Sequence, residues 1–250
     1  MIHSILLIGQ SNMAGRGFVN EVEPINNEHL FVLRNGRWRN MYVPVNADRV
    51  TSGISLAESF CDLYQKEHDV DVGIIPCADG GSCLDQWQIG GLLFDHACYQ
   101  CELASRTSTI SAVLWHQGES DCSEAAIAVY EEKLKVIFDA FRKKLNLYDV
   151  PFLVGGLGDF LKDFYEPGRA NLFPKINDAL EHFAQNNKMT GFVSAKGLGA
   201  NPDNLHFCSK ALREFGKRYY CEFKKLEDKN KVFEEKVTPD NAIRTNLENL

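Results

Sequence analysis

The sequence predicts an α/β protein, a three-layer α/β/α sandwich with helices on both faces of a central, mostly parallel sheet of five strands. Three observations carry that prediction. Apolar runs of strand length are nearly unbroken rather than alternating, which suits strands buried on both faces. Between them lie amphipathic stretches long enough to act as crossovers. A chain of 250 residues, 44% of them hydrophobic, can bury one large core.

The elements follow in chain order. Ile2–Ile8 is the first strand, and Leu30–Val43 reads as an added strand or hairpin. A helix over Ile54–His68 leads to a second strand, Val70–Pro76, and a helix over Asp95–Arg106 to a third, Ser111–His116. The clearest helix spans Glu124–Leu145. Its apolar residues Ile127, Tyr130, Leu134, Ile137, Phe138, Phe141 and Leu145 recur at spacings of three and four, one face of an α-helix. Strand Val150–Gly155, helix Asn171–Gln185, strand Gly191–Ala195 and helix Ser209–Phe223 complete the alternation. One domain is therefore expected over residues 1–225. Residues 226–250, rich in Lys, Glu, Asp and Asn, read as a charged tail, a packed appendage or partly disordered.

Acidic residues outnumber basic ones, 34 to 27, so the net charge of −7 argues against nucleic acid or an anionic membrane as a general partner. No apolar run approaches the roughly 20 residues of a membrane span. The first apolar stretch has no Lys or Arg before it and is short for a signal peptide, so a cytoplasmic protein is expected. The eight cysteines are scattered, and only Cys98 and Cys101 have C-x-x-C spacing. No second pair and no histidines at ligand spacing accompany them, so reduced, mostly buried thiols are expected and no metal site.

In a sheet of this kind ligands bind beyond the carboxyl ends of the strands, so the residues after each strand matter most. Those loops read Gly9-Gln10-Ser11-Asn12-Met13-Ala14-Gly15, Cys77-Ala78-Asp79-Gly80-Gly81-Ser82, Trp115-His116-Gln117-Gly118-Glu119-Ser120-Asp121 and Asn201-Pro202-Asp203-Asn204-Leu205-His206-Phe207. Together they hold the inventory of nucleophilic ester hydrolysis. Ser11 follows a glycine at a strand end, where its hydroxyl can be presented at the sheet edge. A hydroxyl needs a base to take its proton, and His206 is the candidate. Asp203, three residues earlier, can accept the imidazole Nδ1–H and fix its tautomer. The Ser11 N–H, the Gly80 N–H and the Gln117 amide are candidate oxyanion donors, with Gly81 the alternative to Gly80. Taken singly these are ordinary turn, cap and loop residues; four complementary roles on four strand ends are not. Met13 stands where the nucleophile elbow G-x-S-x-G has its second glycine, which argues against an α/β-hydrolase fold.

The first and third of these segments closely resemble signature blocks of the sialate O-acetylesterase and acetylxylan esterase family, a carbohydrate esterase group in the SGNH hydrolase superfamily. Gly80-Gly81-Ser82 followed by Trp87, and Asp203-Asn204-Leu205-His206-Phe207, resemble its second and last blocks. The resemblance implies a flavodoxin-like α/β/α fold, a Ser11–His206–Asp203 triad, and an oxyanion hole from Ser11, Gly80 and Gln117. It implies supporting roles for Glu119 and Asp121, holding Gln117 and its loop. The activity it implies is removal of O-acetyl groups from a small acetylated carbohydrate, of the sialic acid or xylan type, through an acetyl-serine, with no metal or organic cofactor. Trp87 or Trp115 is expected either to stack on a sugar ring or to pack in the core. Arg16 reads equally as a contact for a substrate carboxylate or as a salt bridge.

Overall fold

The computed structural model describes residues 1–164 and 170–236. In chain order the strands are β1 (Ile2–Gly9), β2 (Leu30–Arg34), β3 (Arg37–Asn40), β4 (Val72–Pro76), β5 (Ser108–His116), β6 (Phe152–Gly155) and β7 (Thr190–Val193). The helices are α1 (Ser11–Ala14), α2 (Ala57–His68), α3 (Leu92–Ala104), α4 (Glu124–Leu145), α5 (Phe173–Asn186) and α6 (Ser209–Lys236). The strands form one sheet in the order β3-β2-β4-β1-β5-β6-β7. All neighbours are parallel except β2 and β3.

The sheet therefore has seven strands, where five were expected. The other two are the hairpin β2–β3, which adds to the β4 edge. The five remaining strands keep the flavodoxin-like order, with the first strand between the second and the third. That hairpin lies within Leu30–Val43, the segment read as an added strand or hairpin but left outside the count of five, for a physical reason. β3 is four residues, Arg-Trp-Arg-Asn, with one neighbour and three exposed side chains, so it carries no buried-strand pattern.

The nearly continuous apolar runs reflect two cores. On β1, Leu6 and Ile8 join one cluster while Ile5 and Leu7 join the other; on β5, Val113 and Trp115 oppose Ala112 and Leu114. The first cluster is covered by α3, α4 and α5 through side chains such as Phe94, Phe138, Phe141, Ile176 and Phe183. The second is covered by α2 and α6 through Phe60, Tyr64, Phe215 and Tyr219. Burying each large side chain contributes about 1.5–3 kcal/mol relative to leaving it exposed, so both faces help hold the sheet.

Helix limits follow local chemistry. Ser123 Oγ accepts the Ala126 N–H at the start of α4, and Asn146 ends that helix in the left-handed region. At the start of α2, Ser55 Oγ accepts the Ala57 N–H and Glu58 accepts the Ser55 N–H, in the manner of a capping box. The boundary expected at residue 226 falls inside α6, whose Leu226 is still buried; residues 237–250 lie outside the described residues. Among the described residues no helix is long and apolar enough to cross a membrane.

Candidate functional site

The chain reverses its direction of sheet growth at β1, with β4 on one side and β5 on the other. Such a switch point opens a crevice at the carboxyl edge, and the loops after β1 and β5 flank it. They lie very close. Gln10 N–H donates to His116 O at 2.8 Å. A Cβ on Gly9 would sit 2.1 Å from that same oxygen, so only glycine admits the approach.

Just beyond, Ser11 starts the short helix α1. Its Oγ lies 3.0 Å from His206 Nε2, and His206 Nδ1 lies 2.7 Å from Asp203 Oδ2. A carboxylate can only accept, so Nδ1 carries the proton and the Nε2 lone pair faces the serine hydroxyl. Asp203 does more than orient the ring: its Oδ1 accepts the N–H groups of Leu205 and His206, each at 3.0 Å. Burial by itself raises the Asp203 carboxyl, but the His206 N–H and imidazole and the Leu205 N–H bring it below its ordinary value. The three residues come from two loops far apart in the chain, and the line they form is suited to moving a hydroxyl proton onto an imidazole.

Ser11 and His206 open into a cavity of about 290 Å³ whose wall also includes Gln10, Arg16, Arg49, Gly80, Gly81 and Glu119, with apolar contributions from Phe164, Ala170 and Leu205. Of the two glycines, Gly80 has its N–H committed: it donates to Asp48 Oδ2 at 2.8 Å. A Cβ there would lie 2.4 Å from Arg16 Nη2 and 2.8 Å from Asp48 Oδ2, so the position is closed to side chains. Among the described residues no acceptor takes the N–H of Ser11 or of Gly81. Of the two, it is therefore the Gly81 N–H, the alternative weighed above, that has no acceptor among the described residues.

Gln117 also differs from expectation. It is fully buried, and its amide nitrogen already has three acceptors: Asp121 Oδ2 at 2.5 Å, with Ser82 O and Gln10 Oε1 at 3.2 Å each. An amide nitrogen has only two protons, so none is left over for an oxyanion in the cavity. Tyr130 Oη–H donates to its carbonyl groups from below. Gln117 is a cross-link between three loops. Asp121 holds Gln117 and the Leu84 N–H, while Glu119 bonds Asn12 and His116. Asp121 is raised by burial, whereas Glu119, though buried, is brought below its ordinary value by His116 and Asn12.

Arg16 forms a buried, two-pronged pair with Asp48, at 2.7 and 3.1 Å, so its charge is already matched within the wall. Trp87 and Trp115 are both fully buried and meet edge to face at 5.5 Å, so neither offers a face to a sugar. Cys98 and Cys101 are free thiols buried on α3, and burial pushes both up. Asn12, which the sequence did not single out, bonds the backbone on both sides of His206, at Leu205 O and Phe207 N–H. Its signal was position alone, next to the serine.

Comparison with known proteins places these residues in context. Residues 2–225 match the family described as carbohydrate esterase, sialic acid-specific acetylesterase. A probable carbohydrate esterase of Arabidopsis thaliana is 28% identical over 238 residues, covering 84% of this chain and 86% of that protein. The crystal structure of an Arabidopsis thaliana protein superposes with a TM-score of 0.80 at 24% identity, over 89% of this chain and 98% of that one. A carbohydrate acetylesterase from Xanthomonas citri superposes with a TM-score of 0.65 at 19% identity, over 90% of this chain and 56% of that one.

Proposed function

Because the chain belongs to the carbohydrate esterase family of sialic acid-specific acetylesterases, we propose that it removes O-acetyl groups from a small carbohydrate, of the sialic acid or xylan type, through an acetyl-serine on Ser11. The observation that carries this reading is the line Ser11 Oγ–His206 Nε2–Asp203, with distances of 3.0 and 2.7 Å, at the wall of the cavity. Ser11 Oγ attacks the acetyl carbonyl as His206 Nε2 takes its proton. The tetrahedral oxyanion is held by the N–H groups of Ser11 and Gly81. His206 then protonates the departing sugar oxygen, leaving acetate esterified to Ser11. Water, deprotonated by His206, attacks that ester, and the proton returned to Ser11 releases acetate. Asp203 keeps Nδ1 protonated throughout and stabilises the imidazolium.

The polar side chains in the cavity wall, Arg49 and Ser120 beside Ser11 and His206, support a polar alcohol as the leaving group. Acetate release should be measured on acetylated sialic acid, xylose and glucose, with acetyl and octanoyl nitrophenyl esters compared alongside. The reading expects acetylated sugars and the acetyl ester to be cleaved, and Ser11→Ala to lose at least 10³-fold in kcat. Preference for the octanoyl ester, or no release from any acetylated sugar, overturns it.

A further inference from the structure

Asn12 takes no part in the chemistry above, yet it is buried beside it, 1% exposed. Its side chain grips the backbone on both sides of His206. Oδ1 accepts the Phe207 N–H at 3.1 Å, and Nδ2 donates to Leu205 O at 3.1 Å. Nδ2 also donates to Glu119 Oε1 at 2.5 Å, and the same carboxylate oxygen lies 3.1 Å from His116 Nε2.

This arrangement has one workable orientation. A carboxylate has no proton to give, so the amide must turn its nitrogen to Glu119. That leaves Oδ1 facing the Phe207 N–H. With the amide turned over, oxygen would meet the Glu119 carboxylate and the Leu205 carbonyl, nitrogen would meet the Phe207 N–H, and all three bonds would be lost. Glu119 therefore fixes Asn12, and Asn12 fixes the backbone that carries the base. Asn12 also directly follows Ser11 on α1, so the nucleophile and the clamp on the base share one peptide unit. The His206 carbonyl accepts the Asn201 N–H at 2.7 Å, and the rest of the loop is tied down farther from the ring, by Asn201 Nδ2 to Arg16 O and by Asn204 Nδ2 to Asp163 O.

We propose that Asn12, oriented by Glu119, is a positioning residue that sets the distance between Ser11 Oγ and His206 Nε2. The proposal rests on the triad reading above and deepens it. Asp203 keeps the imidazole in its tautomer, and Asn12 keeps the whole His206 segment in reach of the serine. A misplacement of about 1 Å at such a site can cost about 10²-fold in rate.

The test uses the full chain with Asn12→Ala, Glu119→Ala, Glu119→Gln and Ser11→Ala. Two quantities are read: the number of serines titrated by an organophosphonate, and the rate constant for their acylation by an acetyl nitrophenyl ester. Asn12→Ala should titrate fully yet acylate 10- to 100-fold more slowly, with KM within about twofold of wild type. Glu119→Ala should resemble it. Glu119→Gln should recover most of that loss, because its carbonyl oxygen can take the place of Oε1 for both Asn12 and His116. Fewer titratable sites acylating at the wild-type rate would show a merely structural role and overturn the proposal. So would Glu119→Gln as slow as Glu119→Ala. If Asn12→Ala does not fold, the Glu119 pair decides alone. Turnover retained by Ser11→Ala would instead remove the triad reading itself, whatever the clamp variants do.

Discussion

Asp48 decides which of two adjacent glycines keeps a free N–H. It takes the Gly80 N–H as well as both prongs of Arg16, and the Gly81 N–H has no acceptor among the described residues. A sequence cannot show this, because Asp48 lies in a loop with no motif of its own. Gln117 was legible as a site residue but not in its role, which depends on three loops meeting around one amide. Gln117→Ala should therefore lower stability by about 1–3 kcal/mol, from the buried Asp121 and Tyr130 groups it leaves unpaired, and should lower activity with it. Urea unfolding alongside kinetics separates the roles: a loss of 10²–10³ in kcat at unchanged stability would make it an oxyanion donor after all. Glu119 gives a pH test. Its carboxyl lies below the ordinary value, so it adds stability above the usual carboxylate range, and that stability is lost as pH falls through the lowered folded value. The Tm of wild type relative to Glu119→Gln should therefore fall as pH drops below about 4.5. A difference independent of pH would show that Glu119 is not held ionised by its neighbours.

At the scale of elements, the hydrophobic periodicity of α4 and the apolar runs of β1, β4, β5, β6 and β7 were enough to place every helix of ten residues or more and five of the seven strands. The exceptions have local causes. β3 is short, polar and on an edge, and α1 is a single turn whose importance lies in what it presents. α6 outruns its expected end at residue 223 because polar residues continue a helix whose buried stripe reaches Leu226. Caps are a separate matter from the site. Ser123→Ala should cost about 1 kcal/mol through loss of the bond to the Ala126 N–H. Chemical denaturation should detect that cost, while kcat/KM for an acetyl ester stays at the wild-type value. A cost near zero would mean that water replaces the cap at no loss.

At the scale of the molecule, the sheet order dictates where chemistry can occur. With β4 and β5 on opposite sides of β1, the loops after β1 and β5 meet over the switch point, and the loop after β7 brings His206 across to them. The two cores hold this edge from both faces, so the cavity is built on a packed scaffold although its residues come from loops. The family gives the class of reaction, and the geometry names the atom through which it should run. Rapid quenching of the full chain with an acetyl nitrophenyl ester, followed by digestion and mass spectrometry, locates the acyl group. The account predicts one acetyl group on the peptide carrying Ser11, formed and lost at rates consistent with turnover, and absent in Ser11→Ala. Acetyl found on another residue at those rates, or undiminished hydrolysis by Ser11→Ala, would contradict it.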